Sequence, residues 1–93
     1  MTNEGPTAAA MRRKLADAFA PSILEVVDDS ARHAGHAGSR SGGETHFNLV
    51  IVSAEFEGLS RVERQRRINR VLADELAGPV HALSIKALAP GEA

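Results

Sequence analysis

Apolar residues recur along this chain with two different spacings, and each spacing predicts a different element. Met11, Leu15 and Phe19 fall at i, i+4 and i+8, which is one stripe of a helix. Thr7 stands where that helix needs a cap, Arg12, Arg13 and Asp17 lie off the stripe, and Pro21 ends it. From Ser22 to Asp28 the chain is short and rich in β-branched residues, and a strand is expected there. A second strand is expected from Thr45 to Ser53. It would turn Phe47, Leu49 and Ile51 to one face and His46, Asn48, Val50 and Val52 to the other. Both faces of that run are apolar enough for a central position. The segment between the two strands, from about Asp29 to Glu44, holds Gly35, Gly38, Gly42 and Gly43 with several serines and reads as a loop. It is long for a connection in a small domain, and loops of that length usually carry function or lack order.

Ser60 then opens a helix with the signature of a capping box. Its hydroxyl can accept from the backbone of Glu63, whose carboxylate can reach back. The helix is expected to run to about Ala77, where Gly78-Pro79 stops it. Ile68, Leu72 and Leu76, with Val71, form its buried stripe. Arg66, Arg67 and Arg70 fall on the opposite face, while Arg61 and Arg64 lie nearer the apolar flank. Val80 to Leu88 reads as a third strand, with His81, Leu83 and Ile85 on one side, and Pro90-Gly91 closes the domain. The expected class is α/β (α+β) with an α-β-β-α-β core. A three-stranded sheet covered by helices on one face buries these stripes most simply. A helix joins the second and third strands, so they can run parallel and make the sheet mixed. One domain over residues 7–90 is expected, with tails at 1–6 and 91–93.

Composition narrows the function more than it defines it. The chain has 93 residues, 43% of them hydrophobic and 25% charged, an ordinary balance for a globular domain too small for a deep catalytic cleft. The net charge is −1, so any basic surface must be local, whereas nucleic-acid-binding domains usually carry a strong overall excess. Aromatic residues are limited to Phe19, Phe47 and Phe56, which leaves little for stacking on single-stranded bases. There is no cysteine, hence no disulfide, no thiol nucleophile and no thiolate ligand. No run is apolar and long enough to cross a bilayer, and Met1 to Ala10 lacks the pattern of a secretory signal. A cytoplasmic, reducing setting without membrane attachment is therefore expected.

The candidate chemistry lies in histidines and arginines. His33 and His36 sit in the glycine-rich loop, and His46 and His81 sit at strand starts. A neutral imidazole binds iron, zinc or copper. A glycine-rich loop can swing a ring toward a second ligand, and two histidines on one iron are chemically sound, as in Rieske centres. Against this, loop histidines are ordinarily solvated, a strand-start histidine such as His81 commonly hydrogen-bonds a neighbouring carbonyl, and His46, ahead of Phe47 in a strand, is more often structural still. Arg61, Arg64, Arg66, Arg67 and Arg70 share one helix and could meet phosphates, although Glu63, Asp74 and Glu75 dilute the field. No serine has a nucleophile-elbow context and no phosphate-cradling loop with a following lysine is present, so no enzyme is expected.

Several stretches, taken together, resemble the BolA-like family. They are Leu24-Glu25-Val26-Val27-Asp28-Asp29-Ser30, Glu44-Thr45-His46-Phe47 with Val50-Ile51-Val52-Ser53, and Phe56-Glu57-Gly58-Leu59-Ser60-Arg61. Leu72-Ala73-Asp74-Glu75-Leu76 and Val80-His81-Ala82-Leu83 complete the set. Arg64-Gln65-Arg66 matches the family's Arg-His-Arg pattern except at its centre, where glutamine keeps hydrogen bonding but loses titration. The resemblance spans roughly residues 8 to 90 and implies a class II KH-like fold. It also implies a monothiol glutaredoxin as partner in a heterodimer, the protein alone being a monomer. The pair would share a [2Fe–2S] cluster with glutathione, for iron–sulfur assembly, trafficking or iron sensing. On this resemblance the family's C-terminal histidine falls on His81, and its loop position falls on His33, with His36 close enough to compete. Other members are described as transcriptional regulators, which makes DNA binding through the arginine-rich helix the rival expectation. The paired-glycine loop of KH domains is missing, since only Gly58 precedes Leu59-Ser60-Arg61.

Overall fold

The computed structural model describes residues 5–29 and 45–93. Elements follow in the order α1 (Pro6–Phe19), β1 (Ile23–Asp28), β2 (His46–Val52), a 3₁₀ turn (Ala54–Phe56), α2 (Arg61–Val71), α3 (Ala73–Ala77), β3 (Ala82–Leu88) and a last 3₁₀ turn (Pro90–Glu92). The sheet order is β1-β2-β3, with β1 antiparallel and β3 parallel to the central β2. The expected mixed sheet and α+β class are what the chain forms.

The core lies between one face of this sheet and the helices. Phe47, Leu49 and Ile51 of β2 are buried, as alternation along the strand requires. They meet Ala8, Met11, Leu15 and Phe19 of α1, and Ile68 with Leu72 from the second helical segment. Register places Leu24, Val26 and Asp28 of β1 opposite Ile51, Leu49 and Phe47, and Leu83, Ile85 and Ala87 of β3 beside Phe47, Leu49 and Ile51. The alternate residues Ile23, Glu25, Val27, Asn48, Ser84 and Lys86 are exposed on the other face.

Local chemistry differs from the sequence expectation at four places. Helix α1 begins at Pro6 with Gly5 as its cap, and the Thr7 side chain does not cap it. Proline at the first helical position needs no N–H partner. The helix closes on Ala20 in the left-handed region (φ 44°), its N–H donating to the Ala16 carbonyl at 3.0 Å. The long second helix bends at Leu72, which divides it into α2 and α3 while its N–H still reaches the Ile68 carbonyl at 2.9 Å. At its start, Ser60 Oγ accepts from the Glu63 N–H at 3.1 Å, as expected of a cap. The Glu63 carboxylate turns instead along the helix to Arg66 and Arg67.

The fourth difference concerns the C-terminal residues, which are not a loose tail. Buried Arg64 donates from Nε to the Leu59 carbonyl and from Nη1 to the Ala87 carbonyl, both at 3.0 Å. Its guanidinium also takes Glu92 in a two-point pair, with Nη2 at 3.0 Å from Oε2. Glu92 Oε1 accepts in addition from the Ala89 N–H at 2.8 Å. The Arg64 guanidinium, and after it the Ala89 N–H, hold the Glu92 carboxyl down to about 2, against an ordinary value of 4.5. A lowered carboxyl stabilises the fold above its unfolded value, and that contribution fades as pH falls through the folded value. Thermal melts should therefore show Glu92→Gln less stable than the parent at neutral pH. The difference should shrink between pH 4.5 and about 2 and vanish below. A constant difference across that window would contradict the pairing.

Candidate metal-ligating end of the sheet

The strand directions bring three strand ends together. β1 leaves the sheet where β2 and β3 enter it, so Asp28, His46 and Ala82 share one end. The Asp29 N–H donates to the His46 carbonyl at 2.7 Å, and the N–H groups of His81 and Ala82 both donate to the Thr45 carbonyl, at 2.8 and 3.1 Å. A shallow cavity of about 290 Å³ opens there, lined by Asp29, His46, Phe47, Asn48, Ala82, Leu83 and Ser84.

His81 combines a fixed backbone with an exposed side chain. Val80 before it is buried and its N–H is held by the Glu75 carbonyl at 3.0 Å, while the His81 N–H is held by Thr45. The imidazole itself is exposed. An imidazole sealed in the core could not reach a partner, and this one is presented to solvent. His46 is half-buried, with Nδ1 2.9 Å from Thr45 Oγ1. Parallel pairing of β2 with β3 sets His46 beside Ala82, next to His81, and that register was the signal that could have placed it here. His33 and His36 lie outside the described residues. The chain leaves the described structure after Asp29 and re-enters at Thr45, both at this end. Four peptide units separate Asp29 from His33, roughly 14 Å even when fully extended.

The five arginines of the second helix do not form one surface. Arg64 is buried and committed to Glu92 and two carbonyls. Arg67 Nε lies 3.4 Å and Arg66 Nη1 3.8 Å from the carboxylate of Glu63. Arg61 and Arg70 are exposed and carry no ion pair among the described residues.

As a metal site, this end supplies nitrogen donors only in part. No group of three or more His, Cys, Asp or Glu side chains is assembled for a metal ion among the described residues. Among the described residues the nitrogen donors at this end are His46 and His81. No helix among the described residues is long and apolar enough to cross a membrane.

A three-stranded mixed sheet with this helix layer is the architecture of a BolA-type domain. Residues 15–92 match the family model described as BolA-like protein, and the chain belongs to that family. It is 48% identical over 88 residues to BolA-like protein 1 of Homo sapiens, covering 95% of this chain and 61% of that protein. It is 51% identical over 86 residues to SufE-like protein 1, chloroplastic/mitochondrial, of Arabidopsis thaliana, covering 88% of this chain and 23% of that protein. The chain thus spans about three-fifths of the mammalian relatives it matches. Among solved structures, the BolA domain of SufE1 from Arabidopsis thaliana superposes with a TM-score of 0.85 at 48% identity, covering 97% of this chain and 99% of that one. The solution structure of BolA1 from Mus musculus superposes with a TM-score of 0.81 at 46% identity, covering 99% of this chain and 72% of that one.

Proposed function

We propose that this domain is a partner of a monothiol glutaredoxin and contributes imidazoles to a [2Fe–2S] cluster held between the two proteins. The observation that supports it is His81: a ring in solvent on a backbone pinned by two hydrogen bonds, at the end of the sheet where the segment carrying His33 and His36 is anchored. Membership of the BolA-like family agrees with this reading. A fixed backbone under an imidazole lowers the ordering cost of ligation, while a second ring from a long connection can adapt to the partner. The glutaredoxin thiolate and glutathione would supply the sulfur donors that this cysteine-free chain lacks. Binding and orientation would be this chain's own part: His81 would offer a ring nitrogen to the iron, and the Thr45 carbonyl holds the His81 backbone in place.

The test is anaerobic reconstitution of the mixed pair with glutathione, followed by visible absorption and circular dichroism. His81→Ala should remove the mixed-pair spectrum, and the double change His33→Ala with His36→Ala should alter it, while each variant keeps its fold. A spectrum unchanged by loss of His81 and both loop histidines would dismiss the ligand assignment. DNA binding by the arginine helix has less support, because three of its five cations are already engaged by Glu92 and Glu63.

A further inference from the structure

β1 and β3 are the two edges of the sheet, and the fold treats them differently. At the β1 edge the Arg12 guanidinium reaches two strand carbonyls, with Nη1 3.3 Å from Leu24 O and Nη2 3.4 Å from Val26 O. At the β3 edge, among the described residues, only the Ala87 carbonyl is covered, by Arg64. Leu88 gives its carbonyl to Ser53 and Ala82 gives its N–H to Thr45, so the even-numbered residues of β3 turn their backbone groups toward β2. Leu83, Ile85 and Ala87 therefore present theirs outward, and those of Leu83 and Ile85 have no partner among the described residues. Native proteins commonly cover or charge such an edge, because it is a template for another strand.

Beside this edge runs a groove of about 300 Å³, lined by Arg61 and Gln65 of α2 and by Ile85, Lys86, Ala87 and Leu88. It lies toward the opposite end of β3 from His81. Arg61 and Lys86 are both exposed, and neither has a carboxylate partner among the described residues. We propose that this groove takes an extended acidic peptide segment of a partner protein, which adds to β3 as a fourth strand. Its backbone would pair with Leu83 and Ile85. Neighbouring side chains of an added strand point to opposite faces. One carboxylate would then meet Arg61 and Gln65 on the helix side, and the next would meet Lys86 on the open face. A second copy of this chain fits poorly, since edge-to-edge pairing would crowd two sets of Arg61 and Lys86 together.

The test uses the full chain and a fluorescein-labelled peptide, Val-Thr-Glu-Glu-Val-Thr-Val, followed by anisotropy and by ¹⁵N amide shifts. The expected result is saturable binding, with the Leu83 and Ile85 amides among the most shifted and newly protected from exchange. Methylating the peptide's central backbone nitrogens should abolish it. The double reversal Arg61→Glu with Lys86→Glu should weaken binding about tenfold and favour the same peptide carrying two lysines instead. Both residues are exposed, so an unchanged melting curve will show that the variant is folded. Binding that ignores backbone methylation, or shifts that leave Leu83 and Ile85 untouched, would overturn the strand-addition claim. Binding that ignores the charge reversal would overturn its acidic specificity.

Discussion

Phe56→Ala should remove about 3–5 kcal/mol of stability, enough to leave the domain close to unfolding. Phe56 is fully buried and belongs to a three-residue 3₁₀ turn rather than to a long element. Its ring sits 5.0 Å from that of Phe19, tilted by 42°, so each aromatic side chain forms part of the other's wall. A turn of three residues cannot slide inward to refill the space, and the lost transfer energy is joined by a cavity. A domain of this size has roughly 5–14 kcal/mol in total, so the expected loss is a large share. Urea unfolding followed by circular dichroism should show the midpoint falling with the slope unchanged. A loss below about 1 kcal/mol would mean that the turn and α1 collapse onto each other.

Ser53→Ala should cost about 1–3 kcal/mol although it removes a single atom. Ser53 is buried, and its hydroxyl donates to the Phe19 carbonyl at 2.6 Å while accepting from the Glu55 N–H at 3.1 Å. The Phe19 carbonyl belongs to the last turn of α1, where carbonyls have no partner within the helix. Without the hydroxyl it remains buried and unpaired, and the 3₁₀ turn loses its cap. The same urea titration measures this loss. Because Ser53 and Phe56 both act on Phe19, the double variant should depart from the sum of the two losses. Strict additivity would show that the two contacts are independent.

Most of the fold was legible because its signals are local and periodic. The alternation of Phe47, Leu49 and Ile51 gave a central strand, Ser60 gave a helix start, and the intervening helix gave the parallel pairing of β3. What escaped were contacts between residues far apart in sequence. Arg64 lies four residues before Ile68 and eight before Leu72, on the buried stripe itself, but its charge argued for the surface until Glu92 was seen to close on it. The buried carboxylate of Glu75 is similar: Lys14 of α1 reaches it at 2.8 Å, a pairing that no local pattern encodes. At the candidate site, His81 was already legible as one of four histidines, whereas its exposure and the placing of His46 beside it needed the fold and the strand register.

The parallel pairing of β2 with β3 also bears on how the chain assembles. Their pairing closes a connection that holds the whole of α2 and α3, and such distant contacts are slow to form. Until then β2 is itself an edge, with an apolar face and an open row of amides. Whenever β3 is away, that row is open to another chain, so refolding yield should fall as protein concentration rises.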